Sequence, residues 1–101
     1  MRPPSILVVE DDVTLRKDVL VRLLSREGYQ VFETDNGREA LELIDANEID
    51  LILSDIRMEP MDGLELLGKV REAGHDVLFI LITAYSSDES AIEALRKGTY
   101  D

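Results

Sequence analysis

What the chain lacks narrows the reading first. It has no cysteine, which excludes a disulfide framework and thiolate chemistry and fits a reducing compartment. A single histidine, His75, cannot build a multi-histidine metal centre. No apolar run approaches the roughly 20 residues that span a bilayer. Met1-Arg2-Pro3-Pro4 leads straight into a strand-like segment with no secretory signal architecture. Basic residues are also scarce, 11 Lys and Arg against 22 Asp and Glu, for a formal charge of −11. A surface of that sign repels phosphate backbones, so no direct nucleic-acid contact and no membrane association are expected. No repeat or linker divides the sequence. Its 101 residues, 45% of them hydrophobic, suffice for one core, and the expectation is a single cytoplasmic globular domain.

The residues that are present alternate regularly. Ile6 to Val9 is an apolar run of strand length, bounded by Pro3-Pro4 and by Glu10-Asp11-Asp12. From Val13 to Glu27, Leu15, Val19, Leu20, Leu23 and Leu24 recur at helical spacing, and Gly28 stands where a left-handed cap would sit. Gln30 to Thr34 predicts a second strand. Asp35-Asn36-Gly37 is turn chemistry that opens a helix with Ala40, Leu41 and Ile44 on one face. Asp50 to Asp55 predicts a third strand, and Asp62 to Glu72 a helix with Leu64, Leu67 and Val70 inward and Gly74 closing it. Val77 to Ile82 is the most apolar stretch and ends at Thr83, and Ser87 to Lys97 predicts a fourth helix followed by Gly98. Apolar strands alternating with one-faced helices predict a doubly wound α/β fold, a parallel sheet covered on both sides.

In such folds ligands bind beyond the carboxyl ends of the strands. Glu10-Asp11-Asp12 follows the first strand, Asp55 ends the third and Thr83 the fourth. Carboxylates brought together raise one another's pKa values, and a divalent cation relieves the repulsion. An all-oxygen donor set with few protein ligands suits Mg²⁺. Each acid could instead cap the helix that follows. Asp12 is well placed to do so, whereas Asp55 has no helix beginning until about Asp62.

Glu10-Asp11 after an apolar strand, Ser54-Asp55-Ile56-Arg57-Met58 with Met61-Asp62-Gly63, and Ile82-Thr83-Ala84 resemble the receiver domain of two-component response regulators, in order and over essentially the whole chain. The wording around Asp55 and the ending Lys97-Gly98-Thr99-Tyr100-Asp101 are most similar to receivers that precede an ATPase output module. The resemblance implies a flavodoxin-like, CheY-like sandwich with strand order 2-1-3-4. It implies a signalling switch in which Asp55 accepts a phosphoryl group from a sensor histidine kinase, with Mg²⁺ as cofactor. Asp11 and Asp55 would hold the metal, with Glu10 acting near it through water and the backbone carbonyl of Arg57 as a further ligand. Thr83 would hydrogen-bond a phosphoryl oxygen and move with it. Partners implied are the kinase, an output domain, transcriptional by analogy, and a second copy of the chain in a homodimer. Arg57 and Tyr85 would flank the route of water to the acyl phosphate, with the Tyr85 ring slowing hydrolysis.

Two departures from the family pattern follow. The proline of the phosphorylation loop comes one position late, as Met58-Glu59-Pro60, which predicts altered loop geometry and an extra negative charge near the metal. The family's fifth strand, its lysine and its aromatic switch residue would fall after Asp101, so residues 1–101 are expected to be a receiver lacking its last strand and helix. Lys97 and Tyr100 do not replace those residues. Two rival readings remain at this point. Glu10-Asp11-Asp12-Val13-Thr14 lies one substitution from the Asp-x-Asp-x-Thr signature of haloacid-dehalogenase-like phosphatases, and a receiver-like module could signal by dimerisation without phosphorylation. His75, in Gly74-His75-Asp76, is expected to be a solvent-exposed loop residue, and Met58 and Met61 to pack under their loop.

Overall fold

The computed structural model describes residues 2–82. Strand β1 (Ser5–Val9) is buried along its whole length, as a central strand covered on both faces must be. After it Asp12 turns the chain, its Oδ1 accepting from the backbone N–H groups of Thr14 at 3.0 Å and Leu15 at 3.1 Å, which is the bonding of a helix N-cap.

The helix that follows, α1, departs from the regular one its periodicity predicts. It runs through wide π-type turns over Thr14–Val21 and reverts to α geometry over Arg22–Arg26. None of its residues is fully buried, and Val19 and Leu23 stand 40% and 53% exposed. The wide turns supply the reason. Closure from i to i+5 places residues five apart on one side, so Leu15 and Leu20, then Leu24, line up half-buried, while Val19 and Leu23 rotate away.

Next come β2 (Gln30–Thr34), α2 (Gly37–Ala46), β3 (Leu51–Asp55), α3 (Gly63–Glu72) and β4 (Leu78–Ile82). The four strands form one sheet in the order β2-β1-β3-β4, every pair parallel. The parallel α/β sheet is what the alternation predicts, and its CheY-like strand order is what the resemblance implies. Caps set the helix entries: Asn36 Oδ1 accepts from Glu39 N–H and Asp62 Oδ1 from Glu65 N–H, each at 2.8 Å. Asp62 is therefore the cap of α3 and not its first residue. Gly28 and Gly74 end α1 and α3 at φ 93° and 87°, a region in which a Cβ is strained.

The core lies between the sheet and α2 and α3. Leu7, Ile52 and Phe79 come from three neighbouring strands, Ala40 and Ile44 from α2, and Leu66, Leu67 and Val70 from α3. Full burial of each large side chain contributes about 1.5–3 kcal/mol. Met58 is buried in this cluster and Met61 packs against it, as expected of loop filler. The β4 stretch is less uniformly covered than its composition predicts, because Leu78 at its opening is 54% exposed.

His75 is not the free loop residue its polar turn predicts. Its Nε2 lies 3.0 Å from Asp45 Oδ1 on α2, with its side chain 33% exposed. The expected helix over Ser87 to Lys97, together with Thr83, Tyr85, Gly98 and Tyr100, lies outside the described residues.

Candidate functional site

Register brings the acids together. Val9 of β1 pairs with Ser54 of β3, so the residues that follow them, Glu10 and Asp55, leave the sheet side by side at its carboxyl edge. One carboxylate oxygen each from Glu10, Asp11 and Asp55 lie within 4.8 Å of one another. Three anions at that separation repel strongly, and a bound divalent cation or a shared proton relieves them.

Burial differs sharply among the three. Asp11 is exposed and Asp55 half-buried, but Glu10 is only 2% exposed. The strand pairing draws it in, since Glu10 N–H donates to the Thr34 carbonyl at 3.0 Å and so extends the β1–β2 ladder by one residue. Glu10 Oε2 accepts from Asp12 N–H at 3.1 Å, while its other oxygen, Oε1, is buried with no hydrogen-bond partner. Burial pushes the Glu10 carboxyl up to about 7, and neighbouring Asp11 and Asp55 add to the rise against the lowering effect of the Asp12 N–H. A buried carboxylate with one orphaned oxygen, gathered with two further carboxylates, is the donor set that a hard cation satisfies. The residues present fit Mg²⁺.

The loop that follows Asp55 is held from its own backbone. Arg57 N–H donates to Asp55 Oδ1 at 3.3 Å, and Ser54 Oγ–H donates to the Asp55 carbonyl at 2.9 Å. Gly63 N–H donates to the Ile56 carbonyl at 2.8 Å, which closes the loop onto the start of α3. Gly63 is required there, because a Cβ would collide with the Asp55 carbonyl and lie 2.9 Å from Leu81 Cδ2. Beside the acids runs an open groove of about 430 Å³ lined by Asp11, Arg57, Met58, Glu59 and Asp62. Glu59 thus shares the groove with Asp11, where its charge was expected, and the Glu59–Pro60 peptide is cis.

Of the residues singled out in the sequence, Glu10, Asp11 and Asp55 converge, Arg57 adjoins them, and Asp12 and Asp62 serve as caps. Thr83 falls outside the described residues. Sequence reasoning passed over Arg16. Its Nη1 donates to the Glu10 carbonyl at 2.7 Å, and its Nε donates to Glu33 Oε1 at 3.0 Å. The available signal was a lone cation on the face of α1 shared with Leu15 and Leu20, where an unpaired charge would be costly.

Comparison with known proteins points one way. Residues 6–101 match the family model described as the response regulator receiver domain. The transcriptional regulatory protein ZraR of Klebsiella oxytoca is 42% identical over 97 residues, 96% of this chain and 22% of that protein. The chain therefore spans about a fifth of the curated relatives it matches first. The chemotaxis protein CheY4 of Vibrio cholerae superposes with a TM-score of 0.90 at 29% identity, covering 96% of this chain and 82% of that one. The response regulator protein TrrA of Thermotoga maritima, solved in complex with Mg²⁺ and BeF, superposes at 0.84 with 36% identity, over 96% of this chain and 84% of that one. Among the described residues no helix is long and apolar enough to cross a membrane.

Proposed function

The chain belongs to the response regulator receiver family, and from that membership we propose that it is a Mg²⁺-dependent switch whose phosphoacceptor is Asp55. The observation that carries the reading is the convergence of the Glu10, Asp11 and Asp55 carboxylates, together with a buried Glu10 Oε1 that has no hydrogen-bond partner. The phosphatase reading is disfavoured by Glu10, the acid that would have to be its nucleophile, which is only 2% exposed.

The chemistry is phosphoryl transfer from a phosphohistidine of a sensor kinase. A carboxylate oxygen of Asp55 attacks the phosphorus in line, the P–N bond breaks, and the departing imidazole nitrogen keeps the electron pair. The product is an acyl phosphate on Asp55. Asp11, Asp55 and the Arg57 carbonyl would hold Mg²⁺, with Glu10 beside it. When bound, the ion neutralises charge on the acids and the transferring group. The Arg57 N–H, already directed at Asp55 Oδ1, orients the acceptor carboxylate. The Thr83 hydroxyl would donate a hydrogen bond to a phosphoryl oxygen and carry the change outward. In this reading residues 1–101 form one receiver unit of a cytoplasmic regulator, which accepts a phosphoryl group without turning over a separate substrate and loses it by slow hydrolysis. The curated relative ZraR is a transcriptional regulatory protein, so control of a transcriptional output, with dimerisation as a route to it, is part of the proposal.

The test is phosphorylation of the full chain by acetyl phosphate with Mg²⁺, read by intact mass and peptide mapping. One phosphoryl group on Asp55 is expected, lost on chelation of Mg²⁺ during the reaction and in Asp55→Asn. No incorporation, together with no Mg²⁺-dependent binding of beryllofluoride, would leave a dimerisation module that is not phosphorylated.

A further inference from the structure

We propose that Arg16 is a positioning residue for the cation site: its guanidinium fixes the peptide joining Glu10 to Asp11, and thereby the angle at which the two carboxylates meet Asp55. The proposal rests on the receiver reading for the identity of the cation.

The geometry is specific to that peptide. Arg16 is 11% exposed, one of the least exposed cations in the described ion pairs. One arm of its fork donates to the Glu10 carbonyl at 2.7 Å and the other to Glu33 Oε1 on β2 at 3.0 Å. The Glu10 carbonyl belongs to the same peptide plane as the Asp11 N–H, so a strong charge-assisted bond to it sets the direction in which Asp11 leaves the strand. From the other end, Glu10 N–H is fixed to Thr34. Glu10 is held by its backbone on both sides, which fixes the direction in which its Cα–Cβ bond leaves the strand.

Glu33 serves as the anchor. Burial pushes its carboxyl up, but hydrogen bonds from Lys17 and Arg16 outweigh this and hold it below its ordinary value. It therefore stays ionised wherever the site operates. Lys17 Nζ reaches the same oxygen at 3.1 Å, so the anchor does not depend on Arg16 alone, whereas the Glu10 carbonyl contact does.

The sign of the electrostatics separates this role from a simple one. Arg16 carries the same sign of charge as Mg²⁺, so removing it should tighten Mg²⁺ binding if charge were all that mattered. Positioning predicts the opposite. Loss of a group that orients metal ligands typically weakens affinity by about 10-fold or more.

Mg²⁺ affinity of the full chain is to be measured by titration calorimetry for the wild type, Arg16→Met, Arg16→Lys and Glu33→Gln, at a temperature where circular dichroism shows each to be folded. Arg16→Met is expected to bind Mg²⁺ about 10-fold more weakly. Arg16→Lys should also bind more weakly than the wild type, because one ammonium cannot reproduce the fork. Glu33→Gln, which keeps an acceptor for Nε and leaves the Glu10 contact, should stay close to wild type. Without any cation, the Asp11 amide signal should shift in the nitrogen–proton spectrum of Arg16→Met. Unchanged or tighter Mg²⁺ binding in folded Arg16→Met overturns the proposal, as does Glu33→Gln weakening binding equally, and either leaves the receiver reading standing. If Arg16→Met does not fold, Arg16→Lys decides, with wild-type affinity and an unmoved Asp11 amide as the refuting result. A wild-type chain that binds no Mg²⁺ removes the receiver reading and this inference together.

Discussion

Glu10→Gln should stabilise the cation-free protein at alkaline pH and do little at acid pH. The Glu10 carboxyl rises from an ordinary value of 4.5 to about 7 on folding, chiefly through burial. Between those values the folded state binds more protons than the unfolded state, so stability falls as pH rises. At pH 8 the difference of about 2.5 pH units corresponds to about 3 kcal/mol of lost stability, at 1.36 kcal/mol per unit. At pH 5 only a fraction, under about 1 kcal/mol, has been lost. Glutamine has nearly the same shape and does not titrate. Its advantage over the wild type should therefore grow by about 2–3 kcal/mol between pH 5 and pH 8. Urea unfolding followed by circular dichroism gives the number. Saturating Mg²⁺ should erase most of it, because the ion stabilises the ionised wild-type site and has less to hold in the variant. A Glu10→Gln advantage that is the same at both pH values would show that Glu10 does not titrate in this window, and the account of its burial would be wrong.

Gly63→Ala should destabilise the fold by about 1–3 kcal/mol, the usual range for an overpacked site, because the new methyl meets the Asp55 carbonyl and Leu81; the urea midpoint measures it, and the phosphoacceptor should be modified more slowly. Asp62→Ala removes the acceptor of the Glu65 N–H and should lower stability by about 1 kcal/mol through the lost cap, without abolishing phosphorylation by acetyl phosphate.

Much of this architecture could be read from residue order. The β1 run Ser5–Val9, the turn residues Asn36 and Gly37, and the glycines closing α1 and α3 carry local signals strong enough to fix strands, helices and their ends. The acids at the carboxyl edge followed from those assignments, since a parallel sheet leaves little choice about where strand ends meet. Contacts made across the sequence were not legible. His75 finds Asp45 only because the end of α3 is folded back against α2, and a polar turn gives no hint of it. The face of α1 was misread because periodicity assumes 3.6 residues per turn, while the observed turns are wider. Glu10 was expected beside the metal, acting through water; its burial depends on one more rung of pairing with Thr34, which a pattern of apolar residues does not encode. Arg16 was missed for the same reason, as its acceptors are a main-chain carbonyl and a side chain on another strand.

The loop from Ile56 to Asp62 is a closed eyelet, pinned where Gly63 N–H meets the Ile56 carbonyl, with no side chain at Gly63 to hold α3 away from Asp55. Slack is therefore missing on that side of the Asp55 main chain. Helix α3 is itself anchored in the core by Leu66, Leu67 and Val70, so the main chain at Asp55 abuts a fixed element. In the proposed switch, the main chain behind the Asp55 carboxylate thus has a stiff backstop, and movement on phosphorylation would fall to parts of the molecule that yield more easily than this helix.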